Sequence, residues 1–249
     1  TDRFLALFGQ MEARREVGEA LVRMTGEAAA GAAGGADLAA TAAPLTSHVA
    51  ALTTAAELHD AAGVRPVARE HWAAALAAAE TISAPDERVP TLEVLCALYR
   101  KHATWRLGLM ETTEAEKGYR AALMLLDRLA RLQPERSRGA EALACRQGLA
   151  KVCLLTGRAD EAEELLRASL PAARTAATGA PSFATVNGLA STLDDLAQVL
   201  MVRAGGPVPE ATVLLRESLT ISRGHLEALP GVQWPLQEVA SKLESLALD

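Results

Sequence analysis

Aromatic residues are scarce in this chain. Three Trp, two Tyr and three Phe make up 3% of 249 residues, although half of the chain is hydrophobic. The apolar content is therefore mostly alanine and leucine. Strands favour β-branched and aromatic residues, so this shortage argues against a sheet. Alanine and leucine are strong helix formers that let helices approach closely and still bury area. The chain reads as all-α.

Cysteine is almost missing. Cys96, Cys145 and Cys153 are odd in number and contain no CxxC spacing, which excludes a disulfide framework and a cysteine zinc site. Each lies in an apolar helical context and reads as a small buried hydrophobe in a reducing cytoplasm. A basic excess is missing as well: 25 Lys and Arg face 31 Asp and Glu, for a net charge of −6. Direct nucleic-acid binding usually needs a basic domain or a dense basic face, so it is not expected. No apolar run approaches the roughly 18–20 residues of a membrane span, so no membrane partner is expected either. Thr1-Asp2-Arg3 shows neither an initiator Met nor a signal-peptide pattern, and the favoured reading is a piece of a longer chain.

What the chain does have is a repeat. Alanine is followed four residues later by a bulky residue, then after two residues by a small residue and leucine. The copies are Ala68-Trp72-Ala75-Leu76, Ala115-Tyr119-Ala122-Leu123, Ala162-Leu166-Ser169-Leu170 and Ala211-Leu215-Ser218-Leu219, and the leading alanines are 47, 47 and 49 residues apart. A fixed period in this range marks a helical repeat array, in which each unit packs on its neighbours.

Turn residues divide the chain into helices. One amphipathic helix is expected over 3–25, with Phe4, Leu5, Phe8, Met11, Val17, Leu21 and Met24 as its stripe. The glycines between 26 and 35 suggest a flexible connection or a frayed end. Helices then follow in pairs at about 47–62 and 66–82, 91–107 and 112–132, 139–155 and 158–175, and 183–203 and 208–222. Thr46-Ser47 is the expected cap of the first. A last helix is expected over 236–247. Within pairs the turns are short and rich in glycine, so each pair is an antiparallel hairpin. Three segments result: 1–45 as an N-terminal cap, 46–222 as four helix pairs, and 223–249 as a C-terminal cap.

The sequence LAKVCLLTGRADEAEELLRASL over 149–170 resembles the tetratricopeptide repeat. The matching positions are Leu149, Ala150, Gly157, Ala162, Leu166 and Ser169. The copy over 196–219 matches with two extra turn residues. The two earlier copies keep the second-helix signature and weaken the first: His102 stands where leucine is expected, and the turn glycine shifts to Gly108. The period is longer than the family's usual value of about 34. The resemblance implies a tetratricopeptide-like α-solenoid of antiparallel helix pairs wound as a right-handed superhelix. In such packing the small residue on the second helix lies at the closest helix approach and the bulky residue fills the hole beside it.

Catalytic and metal signatures are weak. His48, His59, His71, His102 and His225 show no HExxH or similar spacing and read as satisfied or interfacial residues. Asp194-Asp195 reads as a solvated face, because adjacent helical residues point about 100° apart. Arg120, Arg167 and Arg216 recur at one register position and are expected to pair with glutamates such as Glu116, Glu163 or Glu164 on their own helices. No cofactor and no metal site is expected.

The resemblance implies a ligand groove along the first helix of each pair. Carried over, its candidates are Thr53 and Glu57, Arg100, Lys101 and Thr104, Gln147 and Lys151, and Asp194 and Gln198. Arg100, Lys101 and Lys151 would make the middle basic, while Glu57 and Asp194 would make the ends acidic. The resulting expectation is a non-enzymatic, cytoplasmic scaffold that binds a protein or peptide segment. Two rivals stand beside it: a sensing module of a larger bacterial signalling or transcriptional regulator, and an enzyme with a helical cavity. Partners within a longer parent chain, or a homodimer through the N-terminal stripe, are compatible with the first two.

Overall fold

The computed structural model describes residues 2–32, 38–82 and 88–228. Among them run nine helices and no strand: α1 (Asp2–Ala32), α2 (Leu38–Ala61), α3 (Arg65–Thr81), α4 (Val89–Gly108), α5 (Thr112–Leu132), α6 (Gly139–Leu155), α7 (Ala159–Gly179), α8 (Phe183–Ala204) and α9 (Pro209–Ala228). The helix expected over 236–247 lies outside the described residues. The chain divides into two compact units, Thr1–His102 with Asp127–Leu132, and Ala103–Leu126 with Gln133–Asp249. In the first, α2 packs against both α1 and α3. In the second, α6 packs on α7 and also on α8, and α8 packs on α7 and α9. The α6–α8 contact joins the first helices of neighbouring pairs, as stacking of hairpins requires.

The repeat is clearest in its turns. Gly63, Gly157 and Gly205 have φ of 77°, 77° and 72°, and Met110 has φ of 61°. Each ends a first helix in the same way. The residue after the left-handed position donates to the carbonyl five back: Val64 to His59, Glu111 to Arg106, Arg158 to Cys153 and Gly206 to Met201, at 2.8–3.0 Å. The left-handed residue itself donates to the carbonyl three back. This is the Schellman arrangement, which satisfies carbonyls that the helix end leaves open. Gly108 is therefore not a displaced turn glycine. It is the last residue of α4, and Met110 holds the turn position.

A side chain in the left-handed region costs roughly 1–2 kcal/mol, and glycine avoids it. Met110 is exposed, so little burial is lost with its side chain. Met110→Gly is expected to raise unfolding stability by about 0.5–1 kcal/mol, after the larger unfolded-state entropy of glycine is subtracted. Urea unfolding checks this. Gly157→Ala should act in the opposite direction.

The signature residues form the core. Ala68, Ala115, Ala162 and Ala211 are no more than 1% exposed, and Trp72, Tyr119, Leu166 and Leu215 are buried beside them. Ser169 and Ser218 are buried as well. Their hydroxyls donate to the carbonyls of Leu165 and Ala190, so the small positions tolerate a polar atom.

The N-terminal region departs from expectation. α1 continues through Gly26 and Gly31 to Ala32. The glycines serve close approach: a Cβ on Gly26 would meet the His48 ring at 3.2 Å, and one on Gly18 would meet Leu58 at 3.1 Å. The face of α1 toward α2 is thus the small one, with Gly18, Thr25 and Ala29. Val17, Leu21 and Met24 of the expected stripe are exposed, and the side chains of Phe4, Leu5 and Phe8 lie outside the described residues. α2 begins at Leu38, with Pro44 inside it. Thr46 and Ser47 are consequently not its cap. The Ser47 hydroxyl donates back to the Ala43 carbonyl, a bond typical of a residue within a helix.

Candidate functional site

The candidate groove residues lie on α2, α4, α6 and α8, the first helices of the pairs. In the first unit, Lys101 Nζ donates to Glu57 Oε2 at 2.6 Å. Arg100 is half-buried. Thr53 is buried, and its hydroxyl is spent on the Val49 carbonyl at 2.8 Å, so it belongs to the core and offers nothing to a ligand.

In the second unit, the exposed Thr104 shares a hydrogen bond with the Tyr119 hydroxyl at 3.0 Å. Gln147 reaches from α6 to α8, donating to Thr192 Oγ1 at 3.1 Å and the Gly188 carbonyl at 3.3 Å. Lys151 Nζ lies 3.4 Å from Asp195 Oδ1. Asp194 is half-buried and Gln198 is exposed.

The Asp194-Asp195 pair is not the solvated face expected of it. The Asp195 side chain is only 13% exposed. Burial pushes its pKa up, Lys151 opposes this, and the charge of Asp194 adds to it. Adjacent residues do point apart, but α6 covers one of the two directions.

These contacts revise the expected charge gradient. Lys101 is matched by Glu57, and Lys151 by Asp195, each across to the next first helix. The Lys101–Glu57 pair is half-exposed and worth only about 0–1 kcal/mol, whereas Lys151 reaches a carboxylate that is only 13% exposed.

A second set of charges joins the second helices. Arg120 pairs with Glu116 on its own helix and with Glu161 of α7 at 3.0 Å. Arg167 pairs with Glu163 on its own helix and with Glu210 of α9 at 2.8 Å. Arg158 holds Glu116 at 2.6 Å and Glu161 at 3.0 Å, Arg203 meets Glu163, and Arg174 meets Glu217. Hydrogen bonding from Arg158, and after it from Arg120, outweighs burial and holds the Glu116 pKa below the usual carboxylate value. The expected local pairs of Arg120 and Arg167 are present. Each arginine has a further arm to the next repeat.

The histidines behave differently from one another. His48 Nδ1 lies 3.0 Å from Thr25 Oγ1, and burial lowers its pKa. His102 packs on Trp72 with ring centroids 5.5 Å apart. The His225 side chain lies outside the described residues. His59 and His71 both reach Glu19 Oε1, through Nε2, at 2.6 and 2.9 Å, and their rings stack at 5.1 Å. No spacing motif announced this convergence. The available signal was the turn at Gly63, which folds α3 back beside α2 and so brings these two rings together; Glu19 arrives from α1.

All three cysteines are buried, as expected. Burial pushes the Cys153 thiol up to about 11, so it stays protonated and unreactive near neutrality. No described helix is long and apolar enough to cross a membrane.

No protein family and no curated protein matches the sequence. Among solved structures, the chain is similar to the crystal structure of BtubC (BKLC) from P. vanneervenii, with a TM-score of 0.64 at 16% identity over 95% of this chain and 81% of that one. It also aligns with the crystal structure of a variant of nearly identical TPR-like repeats from a Podosopora anserina kinesin-light-chain candidate, with a TM-score of 0.49 at 18% identity over 88% of this chain and 97% of that one. At these identities the first likeness speaks to the fold alone. Equivalent turns and buried alanines in all four pairs make that fold a tetratricopeptide-like helical repeat.

Proposed function

We propose that this chain is a non-enzymatic scaffold that binds a protein or peptide segment along its first helices. In the second unit the surface comprises Gln147 and Lys151 on α6 with Asp194 and Gln198 on α8. In the first unit Glu57, Arg100 and Lys101 form a stretch of the same kind. The carrying observation is the division of labour between the two helices of each pair. Second helices repeat one buried signature, and Arg120 of α5 with Arg167 and Arg174 of α7 pair with the next repeat. First helices carry polar residues that differ from repeat to repeat, with half-exposed pairs such as Lys101 with Glu57. A non-repeating polar face on a rigid repeating frame is how solenoids build specificity.

The test begins with panning a random peptide library against the whole chain. The peptide selected should carry a carboxylate that competes with Asp195 for Lys151. By calorimetry, Lys151→Glu is expected to weaken its binding at least about tenfold, the loss typical of one charge-assisted hydrogen bond. Arg174→Glu, on a second helix, should leave binding unchanged. Affinity that ignores Lys151→Glu, or a library that yields no binder, contradicts the proposal.

A further inference from the structure

We propose that Glu19, His59 and His71 form a binding site for a divalent transition-metal ion, zinc foremost, that ties α1 to the α2–α3 hairpin. Each helix supplies one donor. The two imidazole nitrogens and the carboxylate oxygen all lie within 4.8 Å of one another. His59 and His71 stack with 28° between their planes, which turns both Nε2 atoms toward the same carboxylate oxygen. Two histidines and one carboxylate form a donor set suited to zinc and its transition-metal neighbours. Calcium and magnesium prefer oxygen alone.

The geometry needs little adjustment. Zinc bonds of about 2.0–2.2 Å in a tetrahedral arrangement place ligand atoms about 3.3 Å apart. The two nitrogens now lie 2.6 and 2.9 Å from Glu19 Oε1, so the carboxylate must withdraw by less than about 1 Å. It has room to do so: the Glu19 side chain is 37% exposed, against 8% for His59 and 13% for His71. The exposed carboxylate is also the entry path for the ion. Binding requires each imidazole to move its proton from Nε2 to Nδ1.

Three protein ligands leave one coordination position open. His59 Nδ1 is buried and meets no hydrogen-bond partner among the described residues. Metal-bound imidazoles usually have such a partner, and losing it costs about 10–100-fold in affinity. The dissociation constant is accordingly expected on the order of a micromolar, weaker than a closed four-ligand site.

Calorimetric titration of the untagged whole chain with Zn²⁺, after chelator treatment, tests the assignment. One ion per chain is expected, with a thermal midpoint about 5 °C higher at saturation. Co²⁺ at the same site should give the intense visible absorption of a four-coordinate ion. Glu19→Gln preserves size and a hydrogen-bond acceptor, so it should keep its helicity while losing at least about tenfold in Zn²⁺ affinity. His71→Gln should do the same, and His48→Gln should not. A wild-type chain without a stoichiometric site overturns the proposal, and so does undiminished affinity in Glu19→Gln.

Discussion

Gly148→Ala is expected to lower the thermal midpoint by about 6–12 °C, the equivalent of about 3 kcal/mol in a chain of this size. A Cβ at Gly148 would sit 2.2 Å from Tyr119 Cζ, 2.5 Å from Cε1 and 2.6 Å from the hydroxyl oxygen. No real contact is that short, so something must move. The ring cannot yield easily: Tyr119 is 2% exposed, and its hydroxyl is held by Thr104. α6 must then shift away from α5, opening contacts along the second unit. Tyr119→Leu places at this position the residue found in the third and fourth copies and removes the clashing atoms. In the Gly148→Ala background it should recover part of the loss, and the coupling of the two changes should exceed about 1 kcal/mol. A midpoint lowered by less than about 2 °C would contradict this packing.

Leu166→Ala is expected to cost about 2–5 kcal/mol. Leu166 is fully buried, as are Ala162 and Ser169 on the same helix. Its side chain occupies the hole that the small positions leave, and truncation creates a cavity where three helices approach. Val213 on α9 is exposed, and Val213→Ala should stay within about 0.5 kcal/mol. Urea unfolding of the two variants separates a core position from a surface position on equivalent helices. Similar midpoints for both would deny Leu166 its place in the core.

Residues that repeat were easy to read, because periodicity averages over four copies. The repeat together with the tetratricopeptide resemblance puts Trp72, Tyr119, Leu166 and Leu215 in the core, and they are buried. Local ion pairs such as Arg167 with Glu163 follow from helical geometry and are present. Partners roughly 40–45 residues apart carried no such signal. Lys101 with Glu57, Gln147 with Thr192 and Arg167 with Glu210 depend on the register between neighbouring helices, which one sequence does not state. The turn at Met110 carries no glycine signal, while Gly108 two residues earlier imitates one. The glycines of α1 suggested flexibility, whereas Gly18 and Gly26 let α1 approach Leu58 and His48 closely. Glu19, His59 and His71 converge from three helices, so no linear motif contains them.

The central claim is that binding is borne by the first helices while the second helices carry the frame. Amide hydrogen exchange of the chain with and without the selected peptide tests it most directly. Binding should slow exchange in α6 and α8, around Lys151 and Gln198, and leave α7 and α9 unchanged. Protection confined to α7 and α9, around Arg167 and Glu210, would contradict the account.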